Sequence, residues 1–261
     1  MRTITDISKP VNDYDRQILD LVSLMGETLL LNGAEISRVQ TTMEMVAAAY
    51  HKDEIDVYAI SNGIFVTLRH DDRTRCTNIK HVPLATPDLG KVTQINALSR
   101  KICEQHLPVN QATEELYAIV HTPSFPLWIQ AIACAVGGSC FCHLLGGNLL
   151  DCFATVPVGI LLCLFQHWMG KAKLSKMIQT ILGSALVTLC GLMAALVFSV
   201  LNMDKIIIGG LIILVPGVPF TSSIRDFFNG DYLSGTIRLI DALLVSLCMA
   251  IGVGAVHFLF M

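Results

Sequence analysis

Between residues 14 and 31, Ile18, Leu21, Val22, Met25 and Leu29 recur at helical spacing, and Gly33 follows as a stop signal. Ile36, Val39, Met43, Val46, Ala47 and Tyr50 repeat that period and predict a second helix. The period then falls to two. Residues 55–60 read as a strand, Asn62-Gly63 as a tight hairpin turn, and 64–69 as the return strand. After a polar turn at Asp71-Asp72-Arg73, residues 74–79 read as a third, more exposed strand. Two amphipathic helices follow, one carrying Val92, Ile95, Leu98 and Ile102, the other Ala112, Leu116, Ile119 and Val120. Beyond residue 126 the alternation is lost. The stretches 127–145, 149–167, 177–201, 206–224 and 239–260 are apolar nearly all round. Each comes close to the roughly 20 residues that a helix needs to cross a bilayer core.

Charge follows the same division. The first 120 residues hold 28 charged side chains and the remaining 141 hold eleven, so a chain that is 53% hydrophobic and 15% charged is two regions of different kind. A mean hydropathy of +0.59 excludes a single soluble domain, a disordered chain and a nucleic-acid binder with a basic face. The predicted architecture is therefore an α+β cytoplasmic domain over 1–120, a linker over 121–126, and an all-α membrane domain of five helices over 127–261. The fourth of these is broken at Pro216-Gly217. Residues 1–16 show no apolar core and no cleavage pattern of a signal peptide, which keeps the first domain on the side where it is made. With the amino terminus inside, the inner loops carry Lys171, Lys173, Lys176, Arg225 and Arg238 and the outer loops only Lys205. Trp128 and Trp168 then fall at the cytoplasmic interface and the carboxyl terminus outside.

Catalytic and metal signatures are missing. Nine cysteines, seven of them in apolar stretches, read as small buried hydrophobes rather than a disulfide framework, and the eight histidines show no zinc spacing. In Cys140-Phe141-Cys142-His143 the ligands point to different faces of a helix. No phosphate-binding glycine loop or nucleophile elbow is present, so the chain reads as a non-enzyme without a cofactor or metal. Glu35 and Arg38, one helical turn apart, have the spacing of a surface ion pair, and Asp151 and Asp204 that of solvated loop residues.

The informative stretch runs from Gly209 to Asp226. Prolines at 216 and 219, flanking Gly217, must interrupt the backbone ladder of an apolar span, and such breaks persist where neighbours or a wet cavity satisfy the freed groups. Pro219 is placed to open a second half-helix, leaving the N–H groups of Phe220, Thr221 and Ser222 as a positively polarised anion site. The hydroxyls of Thr221, Ser222 and Ser223 would add donors, and Arg225 and Arg238 cationic charge. Asp226 and Asp241 are then proton-coupling candidates. A proline kink that only shapes the bundle explains the same residues, with the arginines as interface anchors.

This stretch resembles the threonine/serine exporter (ThrE) family, and within it the shorter, YjjP-like branch. The carriers are residues 211–214, Val215-Pro216-Gly217, Asp226, and Gly230 through Gly235 to Arg238. Gly33-Ala34-Glu35 and Ser61-Asn62-Gly63 match in the first domain. The resemblance implies a transporter subunit in the bacterial inner membrane, without the second membrane half of the fused exporters, working beside a YjjB-like membrane subunit. It implies export of small carboxylates, succinate or another dicarboxylate in the two-subunit branch and threonine or serine in the fused one. Higher oligomers are left open, and no nucleic acid is implied. A membrane-anchored sensor is the rival class. One anchor helix would serve it, and five spans with a break exceed that need.

Overall fold

The computed structural model describes residues 13–50, 55–71, 74–83, 87–123, 125–172 and 174–260. The expected turn at Asp72-Arg73, most of the amino-terminal segment and Lys173 lie outside them. The chain divides into two compact units, one made of Met1–Pro123 with Val218–Leu239, the other of Ser124–Gly217 with Ile240–Met261.

In the first unit, α1 (Asp13–Leu31) and α2 (Ile36–Ala49) form the predicted helical pair. They approach closely at Gly26, where a Cβ would lie 2.2 Å from the Met43 Sδ. β1 (Ile55–Ile60), β2 (Gly63–Asp71) and β3 (Thr74–His81) make an antiparallel sheet in sequence order. Ile60 pairs with Gly63, so the turn residues are Ser61 and Asn62, one position earlier than the Asn-Gly dipeptide suggested. Ala59, Ile64, Val66 and Leu68 are buried with the apolar stripes of α1 and α2, while Tyr58, Phe65 and Ile79 lie on the outer face. α3 (Leu89–Gln105) and α4 (Val109–Val120) complete the core through Val92, Ile95, Leu98 and Ile102, and through Ala112 and Leu116. Asp88 caps α3 by accepting from the N–H groups of Gly90 and Lys91.

The second unit holds α5 (Leu127–Leu144), α6 (Leu149–Lys171), α7 (Lys176–Val197), α8 (Met203–Leu211) and the larger part of α10 (Tyr232–Phe260). Among the described residues four helices, α5, α6, α7 and α10, are long and apolar enough to cross a membrane. The expected fourth span, 206–224, is interrupted before Gly217, where the break was expected, and divides between α8 and α9 (Gly217–Phe228), of nine and 12 residues. At 1.5 Å per residue these reach about 14 and 18 Å, well short of a bilayer core of about 30 Å. α10 also starts seven residues before the expected 239, so Arg238 lies inside a helix rather than in a loop.

Small residues permit the close helix crossings. A Cβ on Gly209 would lie 2.8 Å from both the Cys142 Cβ and the Gly138 carbonyl oxygen, and one on Gly210 2.7 Å from Val187. The glycine pair thereby seats the short α8 against α5 and α7. On α5, Ala135 is buried and Ser139 donates to the Cys152 carbonyl of α6 at 3.0 Å. Asp151 corrects its expectation: it is 1% exposed, and its carboxylate accepts from the N–H groups of Asn148 (2.9 Å) and Asn202 (2.8 Å). An acid in the first turn of α6 can thus fasten a distant turn as well as its own helix start. Asp204 is exposed, as expected. The eight cysteines described are free thiols, and no group of three or more metal-ligating side chains occurs among the described residues.

Candidate functional site

Local backbone chemistry explains the helix break. After α8, the N–H groups of Leu214, Val215 and Gly217 bond to the carbonyls of Leu211, Ile212 and Val215, a run of tight turns. Pro216, which has no N–H, closes that run, and α9 begins at Gly217. The half-helix therefore starts two residues before Pro219, which occupies its first turn, a position that tolerates proline. Helical geometry directs the N–H groups of Thr221 and Ser222 to the carbonyls of Gly217 and Val218, inside the ladder. Two of the three hydroxyls turn back to the helix backbone as well. Thr221 Oγ1 donates to the Val218 carbonyl at 3.1 Å and Ser223 Oγ to that of Phe220 at 2.7 Å. The N–H groups of Thr221 and Ser222, expected to be free, are thus taken up within the helix. Side chains further along α9 carry the charge.

α9 ends in a glycine-stopped elbow. Gly230 adopts φ +85°, its N–H bonds to the Phe227 carbonyl, and the Asp231 N–H bonds to that of Asp226. This is a left-handed terminus that glycine adopts without steric cost. Gly235 then lets α10 press against α9, since a Cβ there would lie 2.8 Å from the Phe227 ring and 3.0 Å from the Ser223 carbonyl oxygen. One turn later Arg238 reaches back to Asp226, with Nε 3.5 Å from Oδ2. The spacing of Gly230, Gly235 and Arg238 is the geometry of this elbow: a stop, a close approach and a charge.

Both side chains of that pair are buried, Arg238 at 8% and Asp226 at 2% exposure. Asp226 Oδ2 accepts no hydrogen bond. Burial raises the Asp226 carboxyl above its ordinary value, and the Arg238 charge works against that shift. A second Arg238 nitrogen, Nη2, donates to the Ala34 carbonyl at 3.2 Å. Ala34 belongs to the turn between α1 and α2, where Gly33 at φ +86° ends α1 and packs against Pro87.

The next residue in that turn, Glu35, makes an ion pair with Arg225 on α9. Glu35 therefore does not depend on Arg38 for its counter-charge, and two motif blocks about 190 residues apart in sequence meet through two arginines. The Arg225–Glu35 pair is open to solvent, with side chains 60% and 31% exposed. Asp241 stands apart: its Oδ2 accepts from Lys176 Nζ at 2.8 Å, not from Arg238. Of the candidate residues, Arg225, Asp226 and Arg238 come together with Glu35. Thr221 and Ser222 precede Arg225 by four and three positions on the same helix, and Pro216, Gly217 and Pro219 set where that helix begins. Sequence reasoning singled out Glu35 but assigned it a local partner; its equal weight with the arginines needed the elbow to be seen.

Comparison with known proteins agrees with these motifs. The threonine/serine exporter (ThrE) family model matches residues 20–260. The "Probable threonine/serine exporter" of Mycobacterium tuberculosis is 23% identical over 92% of this chain and 46% of its own length. The "Probable succinate transporter subunit YjjP" of Escherichia coli is 24% identical over 92% of this chain and 94% of its own. The "Threonine/serine exporter" of Corynebacterium glutamicum is 24% identical over 91% and 50%. The chain thus spans about half the length of two of these relatives and nearly all of the third. No solved structure matches the chain. With its motif blocks joined at the elbow and the family model covering almost its whole length, the chain belongs to the ThrE family of membrane exporters.

Proposed function

We propose that the chain is a subunit of an exporter for small carboxylate metabolites, succinate or a related dicarboxylate, acting with a YjjB-like membrane partner in a bacterial inner membrane. Residues 1–120 are read as its cytoplasmic domain, and the crossing over 206–224 as a fifth, broken span. The amino terminus lies inside and the carboxyl terminus outside, and the chain does no covalent chemistry. The observation that carries the substrate class is the solvent-open guanidinium of Arg225, in the last turn of the half-helix that follows the break. Its planar fork matches a carboxylate better than a point charge does. Thr221 and Ser222, one turn earlier on α9, are the adjoining polar positions, and Pro216, Gly217 and Pro219 hold the break that presents them. Arg238 is spent on Asp226 and Ala34, so its role is to position the elbow. Asp226, buried with an unbonded oxygen, is a better proton-coupling candidate than the Lys176-paired Asp241.

Two of the relatives' names support a second reading, threonine or serine as the cargo, in which the ammonium would need an acid beside Arg225. Release of succinate, threonine and serine from cells lacking their own exporters, with this chain expressed alone and with the partner, decides between them. Succinate rising only with both chains supports the proposal, and threonine or serine rising instead moves the reading to the amino-acid branch. Pro216→Ala with Pro219→Ala should abolish release while leaving membrane insertion intact. Full release from that variant would refute the broken-helix arrangement.

A further inference from the structure

We infer that Glu35 is the resident occupant of the Arg225 anion site, an internal carboxylate that the exported carboxylate displaces. The inference rests on the carboxylate-export reading and adds to it a determinant of affinity and specificity. A glutamate side chain ends in CH₂–COO⁻, the same group that terminates a small dicarboxylate, and in the structure it already sits on the guanidinium.

Two features distinguish this contact from a structural tie. Glu35 is the N-cap residue of α2, with extended backbone (φ −67°, ψ 143°), yet its side chain makes no capping bond to that helix. N-cap side chains ordinarily accept from their own first-turn N–H groups, so this carboxylate is committed to Arg225 instead. The pair is also substantially exposed, so water can solvate a released Glu35 and exchange is inexpensive. The neighbouring Asp226–Arg238 pair is the opposite case. It is buried on both sides, and Arg238 holds the Ala34 carbonyl as well, which keeps the Gly33–Glu35 turn in place whether or not Glu35 is on Arg225. One arginine anchors the turn and the other is shared between Glu35 and cargo.

An internal competitor lowers apparent affinity by the fraction of time that it vacates the site. For an exposed pair that factor is small, about three- to fivefold. Removing the charge at Glu35 should therefore strengthen binding of a pure carboxylate. It should weaken binding of a zwitterion that used Glu35 for its ammonium.

The test uses the full chain with its partner in lipid nanodiscs, with succinate, threonine and serine as probes. Equilibrium binding is compared for wild type, Glu35→Gln, Glu35→Asp and Arg225→Gln, and melting temperature is recorded for each. The expected result is a three- to fivefold lower half-saturation for succinate in Glu35→Gln, wild-type behaviour in Glu35→Asp, loss of saturable binding in Arg225→Gln, and melting temperatures within a few degrees. Succinate binding seen only in Glu35→Gln would support the inference in a stronger form. Unchanged or weaker succinate binding in Glu35→Gln beside normal wild-type binding overturns the occupant role and leaves the export reading standing. Weaker threonine or serine binding in Glu35→Gln without tighter succinate binding makes Glu35 a cargo partner only and likewise overturns it. If neither wild type nor Glu35→Gln binds any probe, the export reading and the inference fall together.

Discussion

Replacing Arg238 with methionine tests the elbow most directly, because the methionine stem fills similar space and removes only charge and donors. Two interactions are lost. Asp226, 2% exposed, loses its counter-ion, and breaking a buried pair from one side costs about 3–5 kcal/mol. The Ala34 carbonyl loses the Nη2 donor, a further loss of about 1 kcal/mol. Protonation limits the first cost. A stranded carboxylate can take up a proton, which at pH 7 costs about 4 kcal/mol for a group with an unfolded pKa of about 3.9 and only about 1.5 kcal/mol at pH 5. The predicted destabilisation is therefore about 4–5 kcal/mol at pH 7 and about 2–3 kcal/mol at pH 5. The sign follows from linkage. In the variant the folded state holds a proton that the unfolded state releases above about pH 4, so stability falls as pH rises. Equilibrium unfolding of the purified chain in mixed micelles at both pH values measures this. Asp226→Leu combined with Arg238→Met should recover most of the loss, since removing both charges leaves neither stranded. A cost below about 1 kcal/mol at pH 7, or a double variant no better than Arg238→Met alone, would refute the reasoning.

Two further substitutions examine the apolar unit. Gly252→Ala places a Cβ 2.0 Å from the Ser184 Oγ and 2.3 Å from the Ile181 carbonyl oxygen, whereas Gly254 has nothing within 4 Å. The first should lose about 3 kcal/mol and much of its monodisperse peak in size-exclusion chromatography, and Gly254→Ala should match wild type. Asp151→Ala removes the acceptor of two backbone N–H groups in a buried position and should cost about 3–5 kcal/mol in the same micelle assay. Asp204→Ala, at an exposed position, should stay within about 1 kcal/mol.

The fold was legible where one physical signal dominates. Period-3.6 stripes located α1 and α2 within a residue and marked the buried faces of α3 and α4, and period-2 alternation located the strands. Continuous apolar stretches located α5, α6 and α7, although the third stretch ran four residues past the end of α7. The hairpin slipped by one residue because Asn-Gly is only a statistical turn signal, and pairing across Ile60 and Gly63 settled the register. Asp151 was misread for a comparable reason. An acid near the start of an apolar helix looks solvated unless the distant Asn202 N–H that it accepts is known.

The site was half legible, and the missing half has one cause. Proline and glycine announced the break, since their effect on the backbone is local, and the spacing of Gly230, Gly235 and Arg238 is local to one elbow. Partner choice is not local. At helical spacing Glu35 faces Arg38, so sequence proximity nominated that pair. A half-exposed surface pair of that kind contributes at most about 1 kcal/mol, too little to hold either side chain against a better-placed partner. The tertiary contacts gave Glu35 to Arg225, Arg238 to Asp226, and Asp241 to Lys176. Charge density also pointed to the wrong half of the chain for the elbow. Val218–Leu239 carries four of the eleven charges after residue 120 and packs in one compact unit with Met1–Pro123. Arg225, Asp226 and Arg238 find their counter-charges and acceptors in the elbow itself and in the Gly33–Glu35 turn. Two short motifs that look unrelated in sequence are, on this account, the two sides of a single charged contact, and a substitution in either should register in the other.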